Sequence, residues 1–198
     1  MTGILQIEKS GNIFSLIQAV NSLKIDFKII KSLNDFDECN RIVIPGVGSF
    51  NNSMNFLNAN FNIDELVNVL KTKKILGICV GMQIFAEYGY ENEKTKGLNL
   101  IKGQVKKIKT NKVLPHVGFN LIDIHKQSLL FNDINKNQSE FYFTHSFELI
   151  NNDNITSSCN CFGKKIITSI QRDNIYGVQF HPENSRDQGV KILENFLK

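Results

Sequence analysis

Two short segments of this 198-residue chain combine residue types and spacings that could do chemistry. The first is Gly77-Ile78-Cys79-Val80-Gly81. Lys74–Cys79 reads as a buried strand and Gly81–Tyr88 as a helix, so Cys79 falls where a strand reverses into a helix. At such a nucleophile elbow the flanking glycines leave room for the turn. The helix N-terminus favours the thiolate and aims the Val80 N–H at a developing oxyanion. A buried cysteine in a Gly-flanked core strand would look the same, and the pentapeptide alone leaves both readings open.

The second segment is Gly177-Val178-Gln179-Phe180-His181-Pro182-Glu183, an apolar strand that ends in a histidine with an acid two residues on. A general base needs an orienting partner, and a strand terminus holds one well. A lone histidine would read as a structural residue. Together with the cysteine elbow, it makes Cys79, His181 and Glu183 a candidate nucleophile, base and orienter. A third segment, Ile42-Val43-Ile44-Pro45-Gly46-Val47-Gly48-Ser49-Phe50, lacks the third glycine of a dinucleotide loop. It reads either as a plain turn after a strand or as a mobile backbone N–H near Gly46 and Val47 that completes an oxyanion hole with Val80.

Other chemistries find little footing. Cys159-Asn160-Cys161 lacks the two-residue spacer of a zinc pair, and no second pair accompanies it. No metal or cofactor is expected, and four cysteines make no disulfide framework in a chain of this size. The net charge is +4, but its densest group (Lys102, Lys106, Lys107, Lys109 and Lys112) reads as a solvated edge. With no basic face carrying aromatic or helical readers, nucleic acid is not an expected partner. No apolar run reaches the roughly 20 residues of a membrane span, and the N-terminus lacks a signal-peptide pattern, so the expected location is the cytoplasm.

The elements that must position these residues alternate in the first half. Strands are expected over Gly3–Glu8, Phe27–Ile30, Arg41–Ile44 and Lys74–Cys79, with helices from a cap at Asn12, over Asp64–Lys71 and over Gly81–Tyr88. The second half reads as short strands at Leu98–Ile108, Leu121–Ile124, Phe141–Leu149, Lys165–Gln171 and Tyr176–Phe180, closed by an amphipathic helix over Gln188–Lys198. The expectation is one α/β domain over residues 1–198. It has a mixed, mostly parallel central sheet flanked by helices, a cysteine elbow, and additional antiparallel strands in the second half.

Taken together, these segments resemble the class I, triad-type glutamine amidotransferases. Within that class the chain is similar to the glutaminase subunits of imidazole glycerol phosphate synthase. The likeness runs through Pro45–Phe50, Leu76–Gln83, Gly97–Ile101 with Gly103, Leu114–Asn120, Tyr142–Ser146 and Gly177–Glu183. The resemblance implies hydrolysis of L-glutamine through a γ-glutamyl thioester on Cys79. It implies that Gln83 and Glu91, with backbone at Gly48 and near Ser146, hold the amino-acid end of glutamine. Asn12, Pro115, His116, Phe119, Asn120 and Tyr142 are implied in the interface with a barrel-shaped synthase subunit and in the ammonia path.

The chain departs from the family pattern at Glu8-Lys9-Ser10, where an acidic-aromatic-glycine turn is usual. It also departs at Phe119, Phe147 and Asn184, which replace a usual Trp, Tyr and Lys. These departures bear on the partner rather than on the triad. They leave a second reading, a paralogous subunit that supplies ammonia for amidination of a bacterial surface sugar. A third reading is a free-standing cysteine hydrolase.

Overall fold

Strands buried along their whole length belong at the centre of a helix-covered parallel sheet, where neither face meets water. The computed structural model, which describes residues 1–7, 13–135 and 139–198, places the short apolar runs there. The first half contains β1 (Thr2–Leu5), α1 (Phe14–Ser22), β2 (Phe27–Ile30), β3 (Arg41–Ile44), α2 (Phe50–Asn60), α3 (Ile63–Thr72), β4 (Lys74–Ile78) and the single turn α4 (Val80–Gln83). Next come the small strands β5 (Tyr88–Gly89), β6 (Thr95–Lys96) and β7 (Gln104–Lys107), then β8 (His116–Leu121) and β9 (Asp123–Ile124). The chain closes with β10 (Glu140–His145), β11 (Phe147–Ile150), β12 (Ile155–Cys161), β13 (Lys164–Arg172), β14 (Ile175–Val178) and α5 (Arg186–Leu197).

The main sheet has the order β2-β1-β3-β4-β14-β13-β12-β9. Its first five strands are mutually parallel, and the pairings from β14 outward are antiparallel. The fold is thus the expected mixed α/β sheet flanked by helices. Two smaller sheets lie beside it, β8 with β10 and β11-β7-β5-β6.

Several elements differ from the sequence reading. The helix expected over Gly81–Tyr88 stops at Gln83. Beyond it the carbonyls of Ile84, Phe85 and Ala86 accept N–H groups from Leu98, Leu100 and Asn99 rather than from a following helical turn. The single run Phe141–Leu149 breaks at Ser146 into β10 and β11, which join different sheets. The run Leu98–Ile108 is a strand only over Gln104–Lys107. Leu121–Ile124 is divided between the end of β8 and β9. The expected cap at Asn12 and the end of the first strand at Glu8 lie outside the described residues.

Two elements carry little apolar signal and are absent from the sequence reading. Helix α2 is rich in asparagine, yet it buries Phe50, Met54 and Leu57 on one face. Its N-terminus is capped by Ser49, whose hydroxyl accepts from Asn52 N at 3.2 Å. Strand β12 is mostly polar, and its buried hydroxyls pair with those of β13. Thr156 meets Ser169 at 2.6 Å and Ser157 meets Thr168 at 2.7 Å, so burial leaves these polar groups satisfied.

The β4–α4 reversal is tightly packed. A methyl group on Gly81 would collide with the Ile44 carbonyl oxygen, and one on Gly77 would meet the Gly81 backbone. Replacing Gly81 with Ala should therefore lower stability by about 3 kcal/mol, the upper range for overpacking. The loss should appear in the urea midpoint of the variant.

Candidate active site

Cys79 sits between β4 and α4 with φ +53° and ψ −112°, a conformation that non-glycine residues rarely adopt. Such strain persists where the surroundings over-determine it, and it clusters at functional sites. The sulfur is tilted out of the sheet towards β10, 3.9 Å from the Thr144 carbonyl oxygen. Val80 is the first residue of α4, so its N–H has no acceptor within the helix and is available at the cavity.

His181 follows β14, which runs parallel to β4 with Val178 beside Ile78. The imidazole is 1% exposed, and its Nδ1 lies 2.8 Å from Glu183 Oε1. That bond leaves Nε2 as the nitrogen on the Cys79 side. Nε2 is buried without an aligned hydrogen-bond partner among the described residues. Catalytic hydrogen bonds of this kind commonly align only when substrate is bound. Burial is the largest influence on the ring and opposes its charge. The attraction of Cys79, joined by Glu183, outweighs burial and holds His181 well above the ordinary imidazole range.

A cavity of about 390 Å³ opens over the cysteine, lined by Val47, Gly48, Cys79, Val80, Gln83, Glu91, Pro115, Thr144, His145, Ser146, Phe147 and His181. Every sequence-chosen triad and glutamine-holding residue except Glu183 lies on it, and Glu183 stands behind His181. Gly46 is just below the surface, where a Cβ would fall 2.5 Å from Gly81 N, so the loop after β3 rests on the start of α4. Read from residues alone, Gln83 and Glu91 would be solvent-facing. Gln83 is instead buried, donating to the Phe147 carbonyl at 3.1 Å and to Gln179 Oε1 at 2.9 Å. Glu91 Oε2 accepts from Phe50 N at 2.8 Å, which ties the cavity wall to the start of α2.

The residues chosen for a partner interface divide. Phe119 and Tyr142 face each other across β8 and β10 and make an edge contact, with Arg186 over the Phe119 ring. Val117 and Leu121 share that face, 58% and 57% exposed, and Asn120 is half-buried on β8. Pro115 lies at the cavity rim, and Asn12 lies outside the described residues. His116 is largely buried, 9% exposed. Its Nδ1 meets His145 Nε2 at 3.1 Å, and His145 Nδ1 meets the Phe147 carbonyl at 2.8 Å. The sequence reading quoted His145 and Gln179 within its segments but gave neither a role. Gln179 lies two residues before His181 and His145 immediately before Ser146, and that nearness to named residues is the signal that could have found them.

Among the described residues, no group of three or more His, Cys, Asp or Glu side chains is placed to hold a metal ion. No helix there is long and apolar enough to cross a membrane.

A cysteine elbow on a mixed α/β sheet, with a buried His–Glu pair beside it, is the arrangement of a triad-type amidotransferase. The family model for class I glutamine amidotransferases matches residues 9–198. The chain belongs to the class I glutamine amidotransferase family, and within it to the glutaminase subunits named HisH. The HisH subunit of imidazole glycerol phosphate synthase from Pelagibacter ubique is 43% identical, with 95% of each chain covered. HisH 1 from Campylobacter jejuni subsp. jejuni serotype O:23/36 is 40% identical over 96% of each. Among solved structures, PurLQS from Thermotoga maritima superimposes with a TM-score of 0.78 at 16% identity, covering 99% of this chain and 97% of that one, a likeness of fold.

The buried His pair makes a pH prediction. Burial lowers His145 to about 4, with the nearby charges of His116 and His181 adding to the effect and the Phe147 carbonyl opposing it. A depressed imidazole contributes stability that is complete above its unfolded value near 6.5 and lost as pH falls towards 4. The loss is about 3 kcal/mol. Urea midpoints measured from pH 7 to pH 4.5 should fall more steeply for the native chain than for His145→Gln.

Proposed function

We propose that the chain is the glutaminase subunit of imidazole glycerol phosphate synthase, and that it works as a heterodimer with a barrel-shaped synthase subunit. The observation that carries the proposal is the convergence of Cys79, His181 and Glu183 at a cavity also walled by Gly48, Gln83, Glu91 and Ser146. Cys79 as thiolate attacks the side-chain amide carbon of L-glutamine. The charge that moves to oxygen is met by the Val80 N–H and by an N–H of the Gly46–Val47 loop. His181 gives its proton to the departing nitrogen, which leaves as ammonia, and Cys79 keeps the γ-glutamyl group as a thioester. Water, deprotonated by His181, then releases glutamate and restores the thiolate. Glu183 orients the imidazole throughout.

The partner reading draws on the exposed apolar face of β8 and β10, next to the cavity. It also draws on the HisH relatives, which are named as subunits of imidazole glycerol phosphate synthase. These relatives favour the histidine pathway over amidination of a surface sugar. In that pathway the ammonia and a phosphoribulosyl-formimino aminoimidazole carboxamide ribonucleotide give imidazole glycerol phosphate and an aminoimidazole carboxamide ribotide.

Glutamate release by Cys79→Ala should fall to background, and His181→Ala should lose comparably because base and nucleophile act as a unit. Glu183→Ala should lose less. Iodoacetamide should label Cys79 first, because burial raises the thiols of Cys39, Cys161 and Cys159, the last to about 12. Retention of glutaminase activity by Cys79→Ala would end the proposal.

A second assay addresses the partner. The loop Pro45-Gly46-Val47-Gly48 carries two glycines, and an oxyanion donor that is out of place costs a factor of about 10²–10³ in rate. Glutamate release by the lone chain should therefore rise by that order when the synthase subunit and its acceptor are added. Full activity of the lone chain, unchanged by any synthase, would instead fit a free-standing hydrolase.

A further inference from the structure

Beyond β14 the chain bends at Gln179 and Phe180. Gln179 and His181 both face Cys79, while Phe180 between them packs on Phe141 with ring centroids 4.1 Å apart. The Gln179 side chain is fully buried, and its amide nitrogen lies 3.5 Å from the Cys79 sulfur.

The orientation of this amide is fixed by the network around it. The Phe147 carbonyl can only accept, so the Gln83 atom 3.1 Å from it must be the amide nitrogen. That same nitrogen lies 2.9 Å from the Gln179 side chain, which must therefore offer it an oxygen. The nitrogen of Gln179 is then left facing sulfur. Exchanging N and O in either glutamine would set donor against donor or acceptor against acceptor between buried side chains.

We propose that Gln179 is a further catalytic residue of this chain, donating a hydrogen bond to the Cys79 sulfur with its amide held in place by Gln83. The proposal rests on Cys79 being the nucleophile. An N–H donor favours a sulfur that carries negative charge over a neutral thiol or thioester. In the resting enzyme it supports the thiolate. It acts again when the thioester is hydrolysed. Water adds to the γ-carbonyl carbon, the C–S bond breaks, and the electron pair returns to a sulfur already facing a donor. Gln83 thus joins the wall of the glutamine cavity to the nucleophile through a single amide.

The test uses Gln179→Leu, which removes the donor, and Gln179→Glu, which keeps an acceptor for Gln83 but turns an oxygen towards sulfur. The titratable groups facing Cys79 are His181, with Glu183 behind it, His145 and, across the cavity, Glu91; both substitutions leave them in place. Alkylation of Cys79 by iodoacetamide is followed by mass mapping as a function of pH, and glutaminase kcat and KM are measured with the synthase subunit present. Loss of one hydrogen bond to a charged group should slow alkylation at neutral pH about tenfold for Gln179→Leu. The alkylation profile should move to higher pH, further for Gln179→Glu, and kcat should fall with KM little changed. If both variants melt with the native chain and keep its alkylation profile, Gln179 is a spacer and the proposal is wrong. That failure is separate from a failure of Cys79 itself, because an active Cys79→Ala would remove the nucleophile whatever Gln179 does.

Discussion

The close approach of two pieces of backbone governs this structure. Strand β4 reverses into α4 so sharply that Gly81 lies against the Ile44 carbonyl and Gly77 against the Gly81 backbone. Cys79, between them, takes a φ of +53°. The reversal sets the cysteine above the carboxyl ends of the parallel strands, where open α/β sheets gather their sites. The loop after β3 rests on the start of α4, and this brings Gly46 and Val47 to the cysteine. The parallel register of β14 with β4, sealed by Cys79 N donating to the Val178 carbonyl at 2.8 Å, brings Gln179 and His181 to the same level. Three neighbouring strands thus deliver Cys79, the Gly46–Val47 loop and His181 to one end of one sheet.

Buried polar contacts then fix what the sheet delivers. His181 N donates to the Tyr142 carbonyl at 2.8 Å, and Ser185 Oγ accepts from Tyr142 N and donates to the His181 carbonyl. The loop carrying His181 and Glu183 is therefore clamped to β10. The Tyr142 ring lies on the exposed face of that same strand beside Phe119, while His145 at its end lines the cavity. One strand connects an outward apolar surface, the backbone of His181 and the cavity wall. The links are short hydrogen bonds with little slack.

The grouping of Cys79, His181 and Glu183 and the parallel half of the sheet were legible because both depend on local rules. Buried strands read as apolar runs, and an elbow needs its glycines. What stayed hidden depends on partners distant in sequence. The polarity of β12 is compensated by the hydroxyls of Thr168 and Ser169, which no local pattern reports. The early end of α4 follows from carbonyls claimed by residues 98 to 100. Helix α2 shows the opposite failure. Phe50, Met54 and Leu57 have helical spacing, but the intervening asparagines mask it. In the site, Gln83 and Glu91 came only through the family resemblance, because their burial and contacts are set by β11 and by the start of α2.

The left-handed φ at Cys79 also bears on how such a protein could decay. A glycine there would accept the turn without strain, whereas cysteine does not. If Cys79 is the nucleophile, as proposed, the substitution most comfortable for the chain at this position is one that ends catalysis. Selection for a steadily folded, abundant subunit and selection for a working one pull in opposite directions at a single codon. In a lineage whose ammonia came from elsewhere, the exposed face of β8 and β10 would persist on a chain that folds better than its ancestor. Its elbow would be the first part to turn silent.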